Sequence, residues 1–253
     1  EFTMGSVTAP GGGRYAVSLP APVGTPAQHA DTRAEGTYAL LWEGGHGALG
    51  ETLRDDGDVI ERVVTLLSGA PPTAGAPARL DNFYYRSDPL ADLGLEFEEL
   101  QLSGPVGKLR AWYVPGEQRT AVLVLHGRRR GELIETLRFV PALHAQGLPV
   151  MALAYRNHDA SDPSPDGLYH YGASEWQDAL VGVLDLARRG HDRVVLYGVS
   201  MGGAVALEAL KSWPQEAPEV VALVLDSPLV SLPAVVEGGA REGGVPFPAT
   251  LTR

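Results

Sequence analysis

Cysteine is absent from the 253 residues, which excludes disulfides, thiolate metal sites and a cysteine nucleophile together. Positive charge is scarce as well: Lys plus Arg number 20 against 31 Asp plus Glu, a formal net charge of −11. A surface that acidic repels a phosphate backbone, so no nucleic-acid partner is expected. No run approaches the roughly 18 consecutive apolar residues of a membrane-spanning helix, and no basic segment followed by an apolar one opens the chain, so neither a membrane span nor a signal peptide is expected within it. The opening Glu1-Phe2-Thr3 ahead of Met4-Gly5-Ser6 has the look of a cloning scar. Localisation therefore stays open between the cytoplasm and an anchor on a removed N-terminal segment. The stretch 159–166 lacks the alternating oxygen ligands and terminal Glu of a calcium loop, and no G-x-G-x-x-G follows an expected strand. No metal or other cofactor is inferred.

The composition that remains, 44% hydrophobic and 20% charged, suits an ordinary globular core. Residues 1–30 contain Gly11-Gly12-Gly13 and prolines at Pro20, Pro22 and Pro26, a spacing that reads as a flexible arm. Residues 31–87 read as a small β-rich lead-in, with short apolar runs at 38–42, 48–53 and 59–67 and a hairpin signal at Asp56-Gly57-Asp58. The last run also fits a helical face through Val59, Ile60, Val63, Val64 and Leu67, but strands are favoured.

From residue 88 to 253 the grammar changes. Asp88-Pro89 reads as a helix cap, and apolar runs at 96–102 and 109–114 flank Ser103-Gly104-Pro105 as a hairpin. Four short runs, 121–125, 149–155, 193–197 and 220–225, are almost wholly apolar. They alternate with helical stretches at 132–146, 174–189 and 201–213. Strands apolar on both faces and alternating with helices imply an α/β fold, a mostly parallel sheet with helices on both sides.

The third of those parallel strands leads into Gly198-Val199-Ser200-Met201-Gly202-Gly203. G-x-S-x-G alone is weak, but placed between a strand and a helix it becomes a nucleophile elbow, with Ser200 held on a strained turn at a helix N-terminus. His126-Gly127-Arg128 makes a sharp turn after another sheet strand, where backbone amides near Arg128 and at Met201 can face a developing oxyanion.

Through "VLVLHGRRRG", "ALAYRNHDASDPSPDG", "EWQDALVGVLDLA", "VVLYGVSMGGAVALEAL" and "ALVLDSPLVSL", residues 83–231 resemble the α/β-hydrolase superfamily, its serine acyl-hydrolase and peptidase-like branch. Residues 35–80, with "GTYALLWEGGHGALGE", resemble the lead-in of a bacterial subgroup of these proteins. The resemblance implies hydrolysis of an ester, thioester or amide of a small-molecule acyl substrate, with Ser200 as nucleophile. It also implies that an acid and then a histidine follow the serine. Here all seven histidines, His29, His46, His126, His144, His158, His170 and His191, precede Ser200. The chain is therefore expected to be a C-terminally shortened hydrolase, inactive alone, its acid and histidine supplied by a companion fragment. A homo-oligomer is the other expected partner for the exposed sheet edge. A non-catalytic binding module on the same scaffold and an acyltransferase are the alternative functions.

Asp226 ends the strand after the elbow and is a candidate acid, although Asp or Ser in "LDSPLVS" also suits a helix cap with Pro228 in the first turn. His158 and His170 read as exposed loop residues, with a substitute base as the rarer alternative. Arg128 and Arg129, beside the oxyanion loop, are candidates for holding a substrate carboxylate.

Overall fold

Antiparallel ladders on both sides, to residues 14–20 and 45–55, settle Val59–Gly69 as a strand, with Ile60, Arg62, Val63 and Val64 buried along it. The computed structural model describes residues 1–21, 32–33, 35–36, 38–81, 83–128, 132–158 and 160–242, and the chain divides into two units, Glu1–Tyr84 and Tyr85–Arg253.

The first unit is one antiparallel sheet of seven strands: β1 (Phe2–Thr3), β2 (Val7–Gly11), β3 (Arg14–Pro20), β4 (Tyr38–Trp42), β5 (Gly45–Asp55), β6 (Val59–Gly69) and β7 (Pro77–Asp81). They lie in the order β1-β7-β4-β5-β6-β3-β2. Met4, Val17, Leu19, Leu40, Trp42, Leu49, Val64 and Ala78 form its core. The β5–β6 hairpin turns where Asp-Gly marked it, with Gly57 at φ 92° and Asp55 Oδ1 accepting the Gly57 amide at 2.9 Å. The first 20 residues correct the expected flexible arm. β3 pairs with β6 from Arg14↔Thr65 to Pro20↔Val59, and Gly11-Gly12-Gly13, all at positive φ, close the tight β2–β3 turn. Glycine there serves left-handed backbone rather than mobility. Residues 22–30 of the expected arm lie outside the described residues.

The second unit opens with α1 (Pro89–Leu93), whose amide at Ala91 is capped by Asp88 Oδ1 at 2.8 Å. Then follow β8 (Glu98–Gly104), β9 (Gly107–Val114), β10 (Thr120–Leu125), α2 (Glu132–Thr136), α3 (Val140–His144), β11 (Val150–Leu153), α4 (Trp176–Arg188), β12 (Arg193–Val199), α5 (Met201–Leu210), β13 (Glu219–Asp226) and α6 (Leu232–Glu242). The sheet order is β13-β12-β10-β11-β9-β8. β10 to β13 run parallel, and β8 and β9 form an antiparallel edge. Leu123, Leu125, Met151, Leu153, Leu196 and Val194 pack on one face with Ala179, Val183 and Leu186 of α4 and Val205 and Ala206 of α5. Val122, Val124, Val150 and Ala152 pack on the other with Leu133 of α2, Leu137 and Val140 of α3. Adjacent residues of one strand thus enter different cores, which is why these strands read as unbroken apolar runs.

The single helix expected at 132–146 is two short ones, because Pro141 has no amide to donate and stands at the start of α3. The long loop from β11 to α4 is fixed at its root by a buried ion pair. Arg156 donates from Nε to Asp178 Oδ2 at 2.8 Å and from Nη2 to Oδ1 at 2.7 Å, the two side chains being 5% and 0% exposed. Further along, Ser161 Oγ donates to Ala154 O, and Asp162 Oδ2 accepts the Lys108 amide. Asp178→Asn keeps the shape but leaves the Arg156 guanidinium buried without its counter-charge. We expect about 3 kcal/mol of destabilisation, read as a lowered urea midpoint of this unit; a change under about 0.5 kcal/mol would show that the pair is not structural.

Candidate functional site

Loops that follow parallel strands gather at one edge of a sheet, and the chain's backbone strain gathers there too. Asn157, Tyr171, Ser200 and Ser227 are the non-glycine residues at positive φ among the described residues. Each follows β11, β12 or β13. Such conformations cost of order 1–3 kcal/mol each and persist where the surroundings enforce them.

At the β12–α5 corner the enforcement is visible. Ser200 has φ 50° and ψ −111°. Its amide donates to Asp226 O at 2.8 Å, and its carbonyl accepts the amides of Gly203 at 3.1 Å and Leu229 at 2.9 Å. A Cβ on Gly198 would lie 2.6 Å from Gly202 O, one on Gly202 would enter the Leu125 carbonyl, and one on Gly203 would lie 2.8 Å from Pro228 Cβ. The corner closes only with hydrogen at those three positions. Ser200 is exposed, and among the described residues its Oγ makes no hydrogen bond. Met201 begins α5, so its amide belongs to the first turn that no helical carbonyl can satisfy.

Leu125 pairs with Gly198, so the loop after β10 arrives beside the serine. A Cβ on Gly127 would lie 3.5 Å from Ser200 Cβ. The Gly127 amide donates to Glu135 Oε2 at 2.6 Å, which leaves Arg128 as the neighbouring residue of this loop at the site. Glu135 Oε1 is 3.9 Å from Arg138 Nη2, which donates to Asp226 Oδ2 at 3.5 Å. The Asp226 side chain therefore faces an arginine, and its main chain holds Ser200. It caps no helix: α6 starts at Leu232, Ser231 Oγ accepts the Ala234 amide, and Pro228 packs on Gly203 instead of opening the helix.

Beneath this loop lies a buried aromatic cluster. His126 is fully buried, stacks on Tyr155 at 4.3 Å and meets His158 edge-on at 4.9 Å, while the Tyr155 hydroxyl donates to His126 O. His158 is 1% exposed, correcting the expectation of an exposed loop histidine; its ring packs between Tyr155 and Tyr169. Burial drives the His126 imidazole down to about 3 and lowers His158 as well. Neither ring bonds Ser200. His170 is engaged by Ser174 Oγ at 2.7 Å and by Asp166 Oδ2 at 2.9 Å. Arg128 is exposed above this cluster; Arg129 lies outside the described residues. Glu135, Arg138 and the buried Glu175, which accepts the His170 and Gly172 amides at 2.7 and 2.9 Å, escaped sequence reading. Only the three-residue spacing of Glu135 and Arg138 carried a signal. Among the described residues no three His, Asp or Glu side chains converge as metal ligands, and no helix is long and apolar enough to cross a membrane.

Two outcomes follow from the strain and the burial. Ser200→Gly removes the Cβ that resists positive φ, and we expect the unfolding free energy to rise by about 1 kcal/mol after allowing for the freer unfolded chain; a fall would contradict the strain. His126 is neutral in the folded protein and binds a proton far more readily when unfolded. Its contribution is complete above pH 6.5 and is lost as pH falls from 6.5 towards about 3. The melting temperature should drop between pH 7.5 and 5.5, and His126→Asn should flatten that drop; an unchanged slope would place the proton elsewhere.

Comparison with known proteins gives the site its setting. A family model described as the alpha/beta hydrolase family matches residues 122–253, more than half of the chain, and a model described as a domain of unknown function matches residues 25–81. An esterase of Pyrococcus furiosus superposes with a TM-score of 0.53 and 25% identity over 63% of this chain and 61% of that one. An alpha-beta hydrolase of Vibrio vulnificus gives 0.51 and 26% over 62% and 56%. The multifunctional-autoprocessing repeats-in-toxin protein of Vibrio cholerae is 29% identical over 152 residues, 54% of this chain. That match spans 3% of the toxin's length. On the family match, with the parallel sheet and its strand-to-helix corner in place, the chain belongs to the alpha/beta hydrolase family.

Proposed function

We propose that the protein is a serine hydrolase that cleaves an ester, thioester or amide through an acyl-enzyme on Ser200. The carrying observation is Ser200 itself: a serine at φ 50° on a strand-to-helix corner, exposed, with its Oγ uncommitted among the described residues. The likeness to an esterase supports ester chemistry. In this reading Ser200 Oγ attacks the acyl carbonyl while a base takes its proton. The Met201 and Arg128 amides stabilise the oxyanion, with Gly127 setting the close approach of the loop. Collapse expels the leaving group, which regains the proton, and water then releases the acyl group.

The base is the open part of the machinery. No histidine follows Ser200 in these 253 residues, His126 and His158 are buried without reaching it, and Asp226 is paired with Arg138. We therefore assign the histidine and the acid to a segment or companion outside these residues. The same fact favours a second reading, a binding module that keeps the scaffold without turnover. An acyltransferase would use the same serine with an alcohol or amine in place of water.

Nitrophenyl acetate hydrolysis by the 253-residue chain is expected to lie at least roughly 10³-fold below an ordinary esterase rate, because loss of a triad member costs that much or more. Ser200→Ala should abolish what remains. A full enzymatic rate that disappears in Ser200→Ala would place the base inside the chain and overturn that assignment.

A further inference from the structure

In a chain with 31 carboxylate side chains against 20 cationic ones, arginines find partners: Arg110 pairs with Glu99, Arg138 with Asp226, Arg156 with Asp178 and Arg189 with Glu98. Arg128 is different. It is exposed at the site, and among the described residues it has no carboxylate partner. Its guanidinium lies instead over two aromatic rings, 5.9 Å from the centroid of Tyr169 and 5.7 Å from that of Tyr171. Aromatic faces orient a guanidinium without using up its N–H donors. The fork is thus held in place and left able to bond.

The platform is built rather than incidental. Tyr169 packs on the buried His158 ring at 4.6 Å, and its hydroxyl donates to Asn157 O. Tyr171 stands at φ 52°. That conformation is enforced from below by Glu175, 0% exposed, which accepts the amides on either side of Tyr171, those of His170 and Gly172. The root of the loop is fixed by the Arg156–Asp178 pair already described. Gly127, the residue before Arg128, is the one against Ser200.

We propose that Arg128, mounted on Tyr169 and Tyr171, recognises a carboxylate on the substrate and makes the site selective for acyl compounds that carry one. A planar fork with free N–H groups receives a carboxylate through two parallel hydrogen bonds, and little side-chain entropy is lost because the rings already hold it. The inference rests on the reading of Ser200 as the reacting group only in locating the substrate; the binding itself does not require the serine to react.

Equilibrium binding separates the two. Monobenzyl succinate and the uncharged benzyl valerate are titrated by calorimetry against the 253-residue chain, Arg128→Gln, Arg128→Lys and Ser200→Ala. The carboxylate compound should bind at least about tenfold more tightly than the neutral one, the range expected for a charged hydrogen bond. The gap should vanish in Arg128→Gln, persist in part in Arg128→Lys, shrink with added salt and survive in Ser200→Ala. Equal binding of the two compounds, no detectable binding of the carboxylate, or a gap that Arg128→Gln leaves intact would each overturn the proposal. Survival of the gap alongside a Ser200 that never reacts would retain the carboxylate site and discard the hydrolase reading.

Discussion

The hydrogen bond from the Ser200 amide to the Asp226 carbonyl is the constraint on which the site depends. It extends the β12–β13 ladder one residue past the end of β12, while the backbone has already turned to enter α5. Ser200 must satisfy the strand behind it and the helix ahead of it at once, and the conformation that does both lies at positive φ. Glycine at 198, 202 and 203 lets strand, helix and the Pro228 segment close around that turn. A larger residue at any of them would force the corner open.

From this corner the rest of the edge can be followed outward. The carbonyl that holds Ser200 belongs to Asp226, whose carboxylate meets Arg138, which reaches Glu135, which holds the Gly127 amide beside Ser200. The chain of contacts closes a ring around the serine from the end of β13, the turn between α2 and α3, α2 itself and the loop after β10. Exposed ion pairs of this length contribute little stability individually, so their value here is positional. Below the ring, His126, Tyr155 and His158 fill the space with aromatic surface, and their burial keeps the imidazoles neutral.

How much of this could be read from the residues depended on range. The elbow, the four parallel strands and the β5–β6 hairpin were legible because glycine spacing and unbroken apolar runs are local signals. The β3–β6 ladder was not, since it joins residues 14–20 to a partner some 45 residues away, and a Gly-Pro-rich stretch looks mobile in isolation. Pro141 was visible in the sequence and should have split the helix. His158 carries a polar side chain in a loop and reads as surface; only its packing against His126, Tyr155 and Tyr169 makes it buried. The outcome for Asp226 was of the same kind, since nothing local announces that Arg138, 88 residues earlier, will take its carboxylate.

In the proposed reading Ser200 is a presented nucleophile short of its base, and exogenous base tests that most directly. The chain is treated with a fluorophosphonate ester, which phosphonylates activated serines with loss of fluoride, across a series of imidazole concentrations, and the adduct is located by peptide mass mapping. A presented serine without its base should give a single adduct on Ser200 that forms slowly alone and faster in proportion to imidazole, with none in Ser200→Ala. Modification spread over other serines, or a Ser200 that stays unmodified at every imidazole concentration, would contradict it.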